Sequence, residues 1–168
     1  TEKNQAEYPQ AKTQKKGVGL PIARAAAILS LATACVMDLA VGPYAGKETG
    51  ETALLRELLG AFVCGDVAVV DRFYCSFMMI ALLLGRNVQV CARMHQRRHV
   101  DFRRGGHPAA GLAGCRVGLG KYDHIIVWTK PQRPAWMDQA TYDAIPEVLE
   151  MRESRYQVVQ PGYRSQTI

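Results

Sequence analysis

The feature that most constrains the fold of this 168-residue chain is a four-residue apolar run, Val67–Val70, which ends on Asp71. A strand that is apolar at every position is typical of a central strand, buried on both faces of an α/β sheet. The apolar segment Ser76–Leu84 follows at helical length and stops at a glycine, and a second apolar run covers Val88–Met94. A strand, a helix and a strand in such short succession predict a parallel βαβ unit.

Two elements are predicted before this unit. The stretch Arg24–Val41 contains β-branched and small residues and closes on Gly42-Pro43, which favours two strands joined by a tight turn. Thr49 is then the predicted N-cap of a helix that ends by Gly65, with leucines at positions 54, 55, 58 and 59 repeating at helical spacing.

The chain changes character after Met94. A basic stretch and a Gly/Ala-rich loop come first, and strand-like segments follow at Ile125–Thr129, Val148–Met151 and Arg155–Val159, separated by prolines. We therefore divide the chain into an extended lead-in at residues 1–20, an α/β core at 21–94 and a basic loop with a β-rich insertion at 95–168. The strand-like segments suit an all-β insertion better than further α/β units.

Charge and cysteine content narrow the class of protein. The formal net charge is +6, and 14 of the 21 basic residues are arginine, whose planar fork binds phosphate with two parallel hydrogen bonds. The five cysteines form no CxxC pair, and Cys35, Cys64 and Cys91 lie in apolar stretches, so we expect them to be buried thiols of a cytoplasmic protein. No apolar run is long enough to span a membrane.

Asp71 is the sharpest candidate for chemistry. Ligands of open α/β sheets bind beyond the carboxyl ends of the strands, where a carboxylate followed by Arg72 is well placed to hold a divalent metal. The alternative is that Asp71 only caps the next turn, because Asp is a favoured turn residue.

A basic cluster follows the second strand. If the two strands are parallel neighbours, this cluster leaves the sheet at the same edge as Asp71, and it predicts contact with phosphates. A solvated charged face is the alternative, but Asp101 is the one acidic residue between Arg86 and Arg104. The members of the basic cluster are Arg93, Arg97, Arg98, Arg103 and Arg104.

The remaining candidates are weaker. His95 and His99 are spaced for zinc chelation, but no second ligand pair accompanies them. The aromatic side chains of the insertion could stack on bases, although aromatic residues of a small β unit are more often its core. These aromatic residues are Tyr122, Trp128, Trp136 and Tyr142.

Several blocks of the sequence, in one order, resemble the catalytic core of bacterial insertion-sequence transposases of the DDE class, the IS-four type. The blocks run through most of the chain. They are Ile28–Thr33 with Val36–Val41, Gly46–Arg56, Asp66–Tyr74, His99–Gly105, Leu119–His124 and Lys130–Met137.

The resemblance implies a ribonuclease H-like fold with a mixed sheet and a β-rich insertion. It places the second of three catalytic carboxylates on Asp71, paired with Arg72. Such enzymes hold two Mg²⁺ ions, for which Mn²⁺ can substitute, and cleave phosphodiester bonds at transposon ends before strand transfer into target DNA. The implied partner is double-stranded DNA, bound by Arg72, the basic cluster and Lys121, and the full-length enzyme is expected to be a homodimer that pairs two ends.

Two of the family's carboxylates have no counterpart here. The first belongs to a strand before the hairpin, whereas the first Asp of this chain is Asp38, on the second predicted hairpin strand. The third is a Glu in a Tyr, Arg, Glu, Lys pattern, and no Tyr of this chain has Arg three places on; Glu153 lies in a strand-like stretch. We therefore expect a central fragment of the catalytic domain, inactive alone. The alternative is a non-catalytic nucleic-acid-binding domain with the same fold.

Overall fold

A computed structural model of the chain describes residues 2–15, 17–95, 100, 102, 117–162, 166 and 167. The described residues form a mixed α/β protein with four small sheets of two, two, three and two strands. The chain divides into two compact units. The first contains Thr1–Asp66 and Arg86–Gln89, and the second contains Val67–Gly85 and Val90–Ile168.

The first unit opens with a helix where an extended lead-in was expected. Helix α1 covers Glu2–Glu7. Side-chain hydrogen bonds then hold the following turns: Gln5 Nε2 donates to the Gly19 carbonyl at 2.7 Å, and Gln10 Nε2 donates to the Lys15 carbonyl at 2.8 Å. The expectation of an extended segment was therefore wrong. The side-chain amides of the two glutamines donate to backbone carbonyls of the turns, and these bonds satisfy the backbone of a folded loop.

The predicted hairpin is confirmed. Strand β1 (Ala23–Leu29) pairs antiparallel with β2 (Val36–Pro43). The connecting turn is closed by Ser30 N, which donates to the Cys35 carbonyl at 2.9 Å. Asp38 lies on β2, as expected, and its Oδ1 accepts a hydrogen bond from Leu39 N at 2.8 Å.

The predicted helix is present, but its ends differ from the prediction. Helix α2 covers Glu51–Glu57 and continues as a 3₁₀ turn at Leu58–Ala61. The predicted N-cap at Thr49 was wrong, since Gly50 occupies that position and Thr49 Oγ1 donates instead to the Gly46 carbonyl. The apolar stripe of this helix covers one face of the hairpin, in a core made of Ala26, Ala40, Leu54 and Leu58.

The predicted strand, helix and strand are present in the structure. Strand β3 is Val67–Val70, helix α3 is Phe77–Leu84, and β4, Gln89–Ala92, is the hydrogen-bonded neighbour of β3. Ser76 caps α3 by accepting from Met79 N, and Gly85 ends it. The backbone bonds that lead into the pair, Gly65 N to Asn87 O and Gln89 N to Asp66 O, advance in the same direction along both segments, as in a parallel pair.

Strand β3 is not the doubly buried central strand that its composition predicted. Ala68 is 3% exposed, whereas Val67 and Val69 are 62% and 63% exposed. The sheet that contains β3 has two described strands, and burial alternates along β3, so the two faces of this strand are not equally covered. Composition predicts which residues favour a strand, but it cannot say whether a second layer is present to bury both faces.

The insertion contains a short helix as well as strands. Strand β5 (Val117–Gly120), β6 (Asp123–Thr129) and β7 (Val148–Ser154) form an antiparallel sheet. Helix α4 (Gln139–Ala144) lies between β6 and β7, so the expectation of an all-β insertion was wrong. Two further strands pair with each other, and these are β8 (Gln157–Val158) and β9 (Gln166–Thr167).

Helix α3 and the β5–β7 sheet share one core. Phe77, Ile80 and Ala81 of the helix belong to the same buried cluster as Trp128 of β6 and Leu149 of β7. A core built from two elements that are distant in the sequence fixes the position of the insertion against the helix of the second unit.

The cysteines differ from the expectation. Cys35, Cys64 and Cys91 are exposed thiols, and the buried one is Cys75, at the start of α3. Cys35 lies in the hairpin turn and Cys91 on the open face of β4, so an apolar sequence context did not bury them. Cys115 lies outside the described residues.

Candidate nucleic-acid interface

Asp71 lies where the sequence places it, immediately after β3, and it is exposed. Its Oδ1 accepts a hydrogen bond from Arg72 N at 2.7 Å, which makes it the N-cap of the 3₁₀ turn Arg72–Tyr74. The turn-capping interpretation therefore describes the bond that this carboxylate makes.

Two of the predicted DNA-binding arginines flank this position. Arg72 is half-buried at the start of the turn after β3, and Arg93 is exposed directly after β4. Because the backbone bonds between the two segments advance in the same direction, the carboxyl ends of β3 and β4 meet at one edge of the sheet. This edge of the sheet carries one acidic residue and two basic ones. We call the group of Asp71, Arg72 and Arg93 the strand-end edge.

The strand-end edge alone does not provide a set of donors that fits a magnesium ion. Mg²⁺ needs near-octahedral oxygen coordination and is usually held by one or two carboxylates together with substrate phosphates. Asp66, at the other end of β3, accepts from Val63 N at 2.9 Å. Within the described part of the chain, no three His, Cys, Asp or Glu side chains are grouped as metal ligands.

The predicted basic cluster lies mostly outside the described residues. Arg97, Arg98, Arg103 and Arg104 lie outside the described residues, as does His99. Of the cluster, Arg93 is the member that the structure describes.

A second basic surface, which sequence reasoning largely missed, lies on the β5–β6 side of the insertion. Lys121, predicted to bind DNA, is exposed in the β5–β6 turn with its Nζ 5.1 Å from the centre of the Tyr122 ring. The Arg155 guanidinium lies 5.1 Å from the centre of the Phe102 ring and 5.2 Å from that of Tyr122. We call these four residues the ring–cation surface.

A buried polar pair lies beneath the ring–cation surface. The Phe102 ring packs on the His124 ring with centroids 4.6 Å apart. His124 Nε2 lies 2.9 Å from Glu153 Oε2, and both side chains are buried. Glu153 thus holds a histidine in the sheet, and its place on β7 agrees with the strand-like stretch expected there.

The aromatic residues of the insertion separate into two groups. Trp128 is buried in the core, and Trp136 and Tyr142 pack against it, which confirms that core is their main role. Tyr142 also donates its hydroxyl to the Pro131 carbonyl at 3.0 Å. Tyr122 differs, since it is 43% exposed and contacts cations. No periodicity could have marked Arg155 as its partner, because the two meet only when β6 and β7 pair.

Comparison of the chain with protein-family models, with curated proteins and with solved structures found no match. Across the part of the chain that the structure describes, every helix is too short or too polar to cross a membrane.

Proposed function

We propose that this chain is a central part of the catalytic domain of a DDE-class DNA transposase with a ribonuclease H-like fold. In this role, Asp71 is one carboxylate of the catalytic metal site, and the arginines beside it contact the DNA backbone. The longer protein would supply the other carboxylates and would act as a homodimer on two transposon ends.

The observation that carries this proposal is the position of Asp71 in the order of elements. A hairpin (β1 and β2), a helix (α2), a strand ending in Asp71, a helix (α3) and a neighbouring strand (β4) follow one another. The resemblance implies this order. Arg72 and Arg93 at the same edge supply charge-assisted donors for phosphate oxygens close to the carboxylate.

The donor set at the strand-end edge is incomplete, so we assign no catalytic step to the chain alone. We expect the isolated chain not to cleave transposon-end DNA in Mg²⁺ or Mn²⁺. Cleavage by the isolated chain that Asp71→Ala leaves unchanged would overturn the proposal.

The decisive experiment uses the protein encoded by the whole reading frame. The coding DNA on both sides is read first, for an upstream Asp on a strand and for a downstream helix with the Tyr, Arg, Glu, Lys spacing. Asp71→Asn in that protein is expected to abolish end cleavage, because the amide removes a charged metal ligand while still accepting from Arg72 N. Asp66→Asn is the matched control, since Asp66 also accepts a backbone hydrogen bond, at the opposite end of β3.

A second candidate is a non-catalytic nucleic-acid-binding domain. The bond between Asp71 and Arg72 N favours it, because a turn-capping Asp needs no metal to explain its presence. Both candidates predict duplex DNA binding that weakens as salt rises. Full cleavage by the Asp71→Asn protein, or a reading frame without the two other carboxylates, would favour the second candidate.

A further inference from the structure

The ring–cation surface holds two cations by contacts with aromatic rings. Arg155 lies against the rings of Phe102 and Tyr122, and Lys121 lies against Tyr122. An aromatic face attracts a cation but carries no net charge, so the positive charge is not neutralised. In the part of the chain that the structure describes, neither Lys121 nor Arg155 forms an ion pair.

Arg152, three residues earlier on β7, shows the opposite arrangement. Its Nε and Nη2 donate to the two carboxylate oxygens of Asp123 at 3.0 and 2.6 Å. These hydrogen bonds, followed by the charge of Arg152, hold the pKa of Asp123 below its usual range, so the pair is fully ionised and neutral overall at pH 7. Two arginines only three residues apart therefore differ in whether a described carboxylate pairs with them.

The backbone and the layer below fix the ring–cation surface in place. Arg155 N donates to the Tyr122 carbonyl at 2.8 Å, which fixes the start of one side chain relative to the other. Phe102 meets Tyr122 edge to face, with ring centres 5.9 Å apart, and packs on His124, which Glu153 holds. A cation held by rigid rings loses less side-chain entropy when a ligand binds.

We propose that Lys121 and Arg155 form a phosphate-binding site for the backbone of duplex DNA, with Tyr122 and Phe102 as positioning residues. The inference rests on the proposed function and adds a contact away from the strand-end edge. A planar guanidinium presents donors that match two phosphate oxygens, and an ammonium beside it suits the next phosphate. Base stacking is the less favoured use of this surface, because cations already lie over the rings.

The test measures the affinity of the chain for a short duplex by fluorescence anisotropy from about 50 to 200 mM salt. Each phosphate contact contributes about 0.9 to the slope of log K against log salt. Arg155→Ala and Lys121→Ala are each expected to lower the magnitude of that slope by about 0.9, and the double variant by about twice as much. Arg152→Ala is the matched control, because it changes the net charge by the same amount but removes a cation that Asp123 already pairs.

Two ring variants separate positioning from charge. Tyr122→Phe keeps the ring and should bind as the parent chain does. Tyr122→Leu keeps both cations but removes the surface that orders them, and should bind several-fold more weakly with a slope closer to that of the parent. Circular dichroism of each variant verifies that it is folded.

The outcomes distinguish the two levels of the proposal. If the parent chain does not bind duplex DNA, the proposed function and this inference both fail. If it binds, and Arg93→Ala weakens binding while Arg155→Ala and Lys121→Ala behave as Arg152→Ala, the inference alone fails. A single-stranded probe with and without abasic sites supplies the last comparison: a Tyr122→Leu effect that disappears on the abasic probe would assign the surface to base stacking and overturn the phosphate site.

Discussion

His124 Nε2 and Glu153 Oε2 lie 2.9 Å apart across the directly paired positions of β6 and β7, with side chains only 5% and 8% exposed. Buried polar groups are stable in a protein interior only when each finds a partner, and here each partner is on the neighbouring strand. The pair therefore forms when β6 and β7 are paired in this register. It also holds the His124 ring on which Phe102 packs.

Replacing Glu153 by Ala should destabilise the protein by about 1–3 kcal/mol, because it leaves a buried imidazole nitrogen without its hydrogen-bond partner. Urea unfolding at pH 7 measures the change. Glu150→Ala is the control, since Glu150 is exposed on the same strand, and we expect it to stay within about 0.5 kcal/mol of the parent. Equal effects of the two variants would contradict a structural role for the pair.

Individual strands and helices could be predicted from the sequence, whereas the way in which they pack on one another could not. Local signals mark two of these elements. The apolar run before Asp71 corresponds to β3, and Ser76 and Gly85 correspond to the two ends of α3. The exposure of Val67 and Val69 depends on which elements pack on β3, and composition does not contain that information. Helix α4 was missed because its six residues are too few to show a period between prolines.

Truncating Ile80 to Ala should cost about 2–5 kcal/mol, because this side chain is 1% exposed in the core that α3 shares with the insertion. Val69→Ala should cost much less, since the Val69 side chain is largely exposed. Denaturant unfolding of the two variants compares them directly. A Val69→Ala cost as large as that of Ile80→Ala would show that β3 is buried on both faces after all.

Acid should weaken the start of α4. Asp138 Oδ1 accepts from Thr141 N at 2.8 Å, and Oδ2 accepts from the Thr141 hydroxyl at 2.7 Å. These bonds, led by the one from the Thr141 backbone, lower the pKa of Asp138. A lowered folded-state pKa means that the stabilisation is fully present above the ordinary Asp pKa of about 3.9 and is lost as the pH falls through the lower folded value.

The variant Asp138→Asn tests this pH dependence. Asn can still accept from Thr141 N but does not titrate, so its melting temperature should fall less than that of the parent between pH 5 and the acid range, about pH 3. Superimposable pH profiles of the two proteins would show that the cap does not contribute through ionisation.

The candidate site was only partly visible in the sequence. Asp71 and Arg93 each follow a strand that its apolar run predicts. Since the two strands were predicted to be parallel, both residues were expected at the same edge of the sheet. Arg155 and Phe102 come together with Tyr122 only through the pairing of β6 with β7 and the packing on His124. Contacts of this kind are set by long-range pairing, which no short motif encodes.

Removal of divalent metal should leave DNA binding by the isolated chain unchanged. Asp71 contributes one carboxylate, already bonded to Arg72 N, and the cations at the strand-end edge and the ring–cation surface bind phosphate without a metal. Duplex affinity should therefore agree within twofold between EDTA and about 5 mM Mg²⁺ at matched ionic strength. Salt screening governs the affinity in both buffers, and metal ligation does not contribute to it. Asp71→Asn should bind DNA at least as tightly as the parent in both buffers, since it removes a negative charge beside Arg93. A loss of binding in EDTA that Asp71→Asn reproduces in Mg²⁺ would show instead that the chain holds a metal ion through Asp71 on its own.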